Sequence, residues 1–221
     1  MRVLPFDRPA RLPVLTPDPT RRPIASRSSR WAIRLASRLA ASSVTPNQIS
    51  TVSIVFAALG GALIAWQANT AAWIGAAVCI QLRLICNLLD GMVAVEGSKK
   101  SVLGALYNEF PDRIADSLLL VPVGHAIGVE WLGWTAALFA ALTAYVRVFG
   151  GSLGLEQQFA GIMAKQRRMA ALTVGLLAQC VEAAVWGTQW SLLVAIALIA
   201  AGSAVTCVTR TLAIARQLES A

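Results

Sequence analysis

Charge is scarce in this chain. Asp, Glu, Lys and Arg make up 14% of the 221 residues, against 57% hydrophobic. Soluble globular proteins carry about a quarter of their residues charged, so the composition argues against a soluble fold. Histidine is nearly missing. His125 is the single one, near the end of a predicted helix, and reads as an interface residue, not a metal ligand. The four cysteines, Cys79, Cys86, Cys180 and Cys207, sit in apolar runs without Cys-x-x-Cys spacing. They read as small buried hydrophobes, which argues against a disulfide framework or a zinc site. Acids are fewer than bases, 11 against 19, for a net charge of +8. Such a balance can point to nucleic acid, but no nucleic-acid motif is present. The basic residues gather at the N-terminus and in alternate loops, so anionic membrane lipids are the indicated partner. Internal repeats are absent, including the inverted halves that mark many transporters.

What the chain does have is apolar runs long enough to span a bilayer. They fall at roughly 48–66, 71–95, 102–126, 131–149, 169–186 and 191–212. The expected fold is all-α: a polytopic membrane protein of six transmembrane helices, occupying 44–221. Two segments precede it. Residues 1–23 are rich in Pro and Arg and lack the apolar stretch of a signal peptide, so they read as a disordered basic arm. Residues 24–43 interleave Ile24, Trp31, Ile33, Leu35 and Leu39 with Arg27, Arg30, Arg34 and Arg38. That pattern predicts an amphipathic juxtamembrane helix on the bilayer surface. Thr45-Pro-Asn-Gln48 then opens the first span. Thr45 is the expected N-cap, Pro46 fits the first turn, and Gln48 completes a capping box.

The loops after spans one, three and five carry no Lys or Arg. The N-terminal arm, the Lys99-Lys100 turn, the segment from Arg147 to Arg168 and the C-terminus carry nearly all of them. The positive-inside rule then puts both termini in the cytoplasm, with the chain multi-pass in a cytoplasmic (inner) membrane.

Ionisable groups are costly in hydrocarbon, so a cluster of them there marks a functional site by default. Residues 83–116 hold such a cluster. At about 100° per residue, Arg83, Asn87, Asp90 and Ala94 fall within roughly a 60° arc of one helix. Asn108, Glu109, Asp112 and Asp116 fall within roughly a 100° arc of the next. A polar turn, Gly97 to Ser101, separates the two. An antiparallel hairpin would bring Asp90 and Asp112 nearly level, aiming carboxylates and amide oxygens into one cavity. Oxygen donors of this kind suit Mg²⁺ or Mn²⁺. The competing reading is helix–helix glue, since Asn and Asp also hydrogen-bond across membrane interfaces. Arg83 needs a partner, which the spacing leaves among Asp90, Glu182 and a lipid phosphate. Pro111 is expected to kink its helix or open the backbone near Asp112.

The spacing resembles the CDP-alcohol phosphatidyltransferases. That family carries Asp-x-x-Asp-Gly-x-x-Ala-Arg, eight or nine residues, then Gly-x-x-x-Asp-x-x-x-Asp. Here Asn87-x-x-Asp90-Gly91-x-x-Ala94-Val95 is followed, after eight residues, by Gly104-x-x-x-Asn108-x-x-x-Asp112. The glycines, the alanine and the register match. The first and third aspartates are the amides Asn87 and Asn108, and the usual arginine is Val95.

The resemblance implies an integral-membrane enzyme of phospholipid biosynthesis. It would move a phosphatidyl group from a CDP-linked lipid, with CDP-diacylglycerol as the indicated donor, to a small alcohol or polyol phosphate, releasing CMP. In the family the acids hold two divalent ions, and the last aspartate also acts as base. Carried over, Asn87, Asp90, Asn108 and Asp112 would take Mg²⁺ or Mn²⁺. Asp116 is a further metal candidate, and it or Glu109 could restore charge from the same face. Asp112 would be the catalytic base. Gly91, Ala94 and Gly104 would let the nucleotide approach the backbone; tight helix packing is their alternative role. Arg147, Lys165, Arg167 and Arg168 would bind a phosphorylated acceptor, or else be flanking positive-inside charge. A homodimer is implied as well. The two amides motivate a second reading, a non-catalytic lipid-binding or scaffold protein on the same fold.

Overall fold

A computed structural model of the chain describes residues 29–66, 69–99, 102–157 and 159–220. The arm at 1–23 and the first part of the juxtamembrane segment lie outside the described residues. Among those described, the secondary structure is helical: α1 (Arg30–Ala41), α2 (Pro46–Trp66), α3 (Thr70–Glu96), α4 (Gly104–Ala126), α5 (Glu130–Ser152), α6 (Lys165–Val185) and α7 (Trp190–Glu219). Five of them, α2, α3, α5, α6 and α7, are long and apolar enough to cross a membrane. Helix α4 falls outside that set; it carries Glu109, Asp112, Arg113 and Asp116 along its first half.

The start of α2 follows from local chemistry. Thr45 Oγ1 accepts from Gln48 N at 3.2 Å, and Gln48 Oε1 accepts from Thr45 N at 2.9 Å. Two backbone N–H groups that no helical turn can satisfy are thus paired reciprocally, as the capping box requires.

The six long helices close into a ring. In order around it, α2 packs on α3, α3 on α6, α6 on α7, α7 on α5, α5 on α4, and α4 back on α2. The expected hairpin is therefore not a direct helix pair. Helix α2 wedges between α3 and α4, and these two meet through long polar side chains across the ring interior. The wedge depends on small residues. A Cβ on Gly61 would sit 2.0 Å from the Leu118 carbonyl oxygen of α4, and one on Gly60 would press on Cys79 and Leu119. Pro122 has no N–H to give the Leu118 carbonyl, so that oxygen is freed where Gly61 lies against it. The α4–α5 crossing is equally close: a Cβ on Gly124 would meet the Gly133 backbone at 2.7 Å.

Helix α4 is continuous through both Pro111 and Pro122. The ring is lined by apolar residues such as Ile80, Leu119, Leu120, Leu172, Leu176 and Ile196. Its outer surface is apolar too, with Val55, Leu59, Val78, Leu138 and Val181 more than half exposed. A surface that is apolar on the outside of a filled core is what lipid demands and water does not.

Helix α1 docks on α3. Ala32 and Ala36 are fully buried in a small cluster with Ile49, Leu88, Leu89, Met92 and Val93. Arg30, Arg34 and Arg38 face outward. Lys99 Nζ, in the α3–α4 turn, donates to Ser42 O at 2.5 Å and Val44 O at 3.0 Å, tying the α1–α2 link to that turn.

Candidate active site

The polar groups lie toward the end of the ring where α3 finishes and α4 and α6 begin. They form three neighbouring knots.

The first is the most deeply enclosed. Arg83 and Arg168 have essentially no exposure, and Asp116 is 1% exposed. Asp116 Oδ1 accepts from Arg83 at 2.7 Å, and Oδ2 from Arg168 at 2.7 Å. Arg168 also donates to Thr143 Oγ1 at 3.2 Å and Met163 O at 3.0 Å. Arg210 of α7 reaches Thr143 O at 2.5 Å and also donates to Ala160 O and Phe159 O. Helices α3, α4, α5, α6 and α7 are thus joined through one buried polar node. Arg83 takes Asp116, which was not among the partners expected for it. Glu182 lies at the opposite end of the ring. It accepts from Trp190 N and Ser191 N, each at 2.7 Å, and so caps α7.

The second knot centres on Asp112, half-buried one turn before Asp116. Its Oδ1 accepts from Asn87 Nδ2 of α3 at 3.1 Å and from the Lys165 ammonium at the start of α6. Arg83 stands 3.6 Å from the same oxygen. Oδ2 faces Arg113 at 3.7 Å. The α3 and α4 halves of the motif are therefore brought together, and α6 supplies a cation that the motif alone does not announce.

The third is Asp90, buried on α3. Its Oδ2 accepts from Ser50 Oγ of α2 at 2.7 Å, and its Oδ1 from its neighbour Gly91 N at 2.5 Å. Asp90 lies about one turn beyond Asn87 on α3, so the second and third knots are neighbours.

The remaining sequence candidates fall nearby. Asn108 is exposed on the first turns of α4; Gly91, Ala94 and Gly104 are half-buried along the two helices. Glu109 is engaged by Arg147 at 2.5 Å and approached by Arg113 at 3.7 Å. Arg147 also donates to Gln157 Oε1 at 2.7 Å and stacks on Phe159 at 5.2 Å. Arg167 is exposed and turns to Gly161 O and Ile162 O of the α5–α6 loop. Sequence reasoning missed Ser50, Thr143 and Gln157. Ser50 had a signal: with Ser53, Ala57, Gly60 and Gly61 it forms a stripe of small residues down one side of α2.

A divalent cation can be tested against these donors. Among the described residues, no group of three or more His, Cys, Asp or Glu side chains could hold a metal ion. The available set is two carboxylates, Asp90 and Asp112, with the amide oxygens of Asn87 and Asn108. These are hard oxygen donors that suit Mg²⁺ or Mn²⁺, and two negative charges match one such ion.

No family model matches the chain. Over 145 residues it is 34% identical to the archaetidylinositol phosphate synthase of Aeropyrum pernix, covering 65% of this chain and 72% of that one. The chain belongs to the CDP-alcohol phosphatidyltransferase family. Members are integral-membrane transferases of phospholipid biosynthesis that use CDP-linked lipids, and this chain is one of them. It is also 33% identical over 79 residues to the inner membrane protein YnbA of Escherichia coli, spanning 36% of this chain and 39% of that one. The fold is similar to that of the Mycobacterium tuberculosis phosphatidylinositol phosphate synthase with CDP-DAG bound. The TM-score is 0.69 at 18% identity, over 84% of this chain and 94% of that one. The same enzyme has also been solved with manganese and citrate, and family members use divalent cations.

Proposed function

We propose that this phosphatidyltransferase takes a CDP-diacylglycerol-type lipid as donor and a polyol phosphate as acceptor, at the cytoplasmic face of an inner membrane. The observation that carries this reading is the meeting at Asp112: the motif halves on α3 and α4 converge there, beside a lysine from α6. The names of the relatives support the same substrate classes.

In the reaction the acceptor hydroxyl attacks the lipid-bearing phosphorus of the donor. A new P–O bond forms to the acceptor oxygen, the bond to the CMP phosphate breaks, and CMP leaves. The hydroxyl proton passes to Asp112. Lys165 and Asn87 occupy Oδ1, so Oδ2, with Arg113 at 3.7 Å, is the more open oxygen. A positioned base of this sort contributes about 10²–10⁴-fold. Asp90 and Asp112, with the amide oxygens of Asn87 and Asn108, would hold a divalent cation, which neutralises charge on the diphosphate. Ser50 fixes the rotamer of Asp90. Arg167 is exposed at that end of the ring and suits an acceptor phosphate, with Lys165 and Arg147 beside it holding Asp112 and Glu109. Arg168 is committed to Asp116 and serves the frame instead.

Orientation follows from the segregation of side chains. Trp66, Trp131, Trp134, Trp186 and Trp190 are all more than 60% exposed, and all sit at the ends of α2 and α6 and the starts of α5 and α7. That is one end of the ring. Lys99, Arg147, Lys165 and Arg167 sit at the other. An aromatic belt opposite a basic end supports α4 as a sixth span, cytoplasmic termini and α1 lying along the inner interface.

The test uses the full chain in lipid nanodiscs with CDP-diacylglycerol and Mn²⁺, following CMP with inositol phosphate, glycerol phosphate or no acceptor. Acceptor-dependent CMP is expected; its absence with every acceptor overturns the reading. Asn87 and Asn108 favour a second reading, a lipid-binding protein without turnover. That reading predicts saturable retention of the CDP-lipid with no CMP released.

A further inference from the structure

We propose that this site takes one divalent cation per chain and that the Lys165 ammonium supplies the positive charge of a second. The proposal rests on the transferase reading above and concerns how its charge is balanced. Four acids would offset two divalent ions. Here Asn87 and Asn108 leave two, and among the described residues Asp116, Glu109 and Glu182 are all engaged elsewhere. Both oxygens of Asp116 are taken by Arg83 and Arg168. Glu109 is held by Arg147 and approached by Arg113. Glu182 caps α7 at the far end.

The deficit is met from α6. Lys165 Nζ sits on Asp112 Oδ1, with its side chain 19% exposed, and Asn87 Nδ2 donates to the same oxygen at 3.1 Å. Asp112 Oδ1 is thus filled by N–H donors from two helices, where a fully acidic motif would offer bare oxygens. Asp90 follows Asn87 by about one turn of α3, and Asn87 reaches Asp112, so Lys165, Asp112 and Asp90 stand in one charge group. Two carboxylates with one divalent ion are neutral, leaving the ammonium, with the Arg83 and Arg113 guanidiniums 3.6 and 3.7 Å from Asp112, as the positive charge facing an anionic diphosphate. Two divalent ions beside Lys165 and Arg83 would instead crowd like charge into a low-dielectric interior, which is strongly unfavourable.

The experiment is a Mn²⁺ titration of the full-length protein in detergent, reading free Mn²⁺ by electron paramagnetic resonance and bound Mn²⁺ by elemental analysis after gel filtration. One Mn²⁺ per chain is expected for the wild type, and two for the Asn87→Asp/Asn108→Asp variant. Lys165→Met should tighten the single site on the order of tenfold, because a like charge is removed from its edge; Lys165→Gln gives the same readout if the Met variant fails to fold. Two ions per wild-type chain, none, or an unchanged affinity in both Lys165 variants would overturn the proposal. Two ions together with acceptor-dependent CMP release would remove this inference and leave the transferase standing. One ion without CMP release would do the reverse.

Discussion

Asp112 and Asp116 lie one turn apart on the same helix, yet their surroundings assign them different work. Asp116 is sealed in, and each of its oxygens is met by an arginine from another helix. Asp112 is partly open, holds one lysine and one amide on a single oxygen, and keeps its second oxygen 3.7 Å from the nearest guanidinium. A carboxylate enclosed by two buried guanidiniums is a structural strut, since removing it strands both charges. A carboxylate with an oxygen to spare at an open edge can exchange protons or ligands. Residue type does not separate the two; the elements packed around them do.

The largest effect that should break this pairing comes from Asp116→Asn. It leaves Arg83 and Arg168 buried without the carboxylate that bridges them, at a cost of about 3–5 kcal/mol. Denaturant unfolding in detergent should show this loss, and a near-normal midpoint would make Asp116 dispensable to the frame. A smaller effect is expected from Ser50→Ala. It removes the 2.7 Å bond to buried Asp90, costing about 1–3 kcal/mol in an unsatisfied acceptor. Its kinetic signature is weaker Mn²⁺ dependence of CMP release with the fold intact; wild-type dependence would detach Ser50 from the site. Smallest is Thr45→Ala, which breaks a capping box outside both knots. Stability should fall by about 1 kcal/mol, with CMP release per folded molecule unchanged. A change in turnover would mean that the two acids are not insulated from the start of α2.

Much of the frame was legible in the residues. The capping box at Thr45 and Gln48 is local, so its partners could be named from spacing. The long helices begin and end within a few residues of the apolar runs, because lipid exposure writes each span as a continuous string; α7 alone runs on past its run, to Glu219. The site was legible only in part. Asp90 and Asp112 were expected nearly level across a hairpin; the α3 residue that reaches Asp112 is Asn87, while Asp90 turns to Ser50 of α2. Arg83 had several acids within helical reach, and the choice of Asp116 depends on how far α3 and α4 are rotated about their axes. That rotation is set by α2 wedged between them on Gly60 and Gly61; the small-residue stripe of α2 marks a close approach but not which helices make it. Lys165 is the other case. It was expected to bind an acceptor phosphate or to be flanking charge, and only the closure of α6 onto α3 carries it to Asp112.

The most direct measurement of the central claim is acceptor-dependent CMP release by Asp112→Asn in nanodiscs, normalised to folded protein. The account predicts a fall of at least about a hundredfold with an unfolding midpoint close to wild type. Release at the wild-type rate by the folded variant would contradict it.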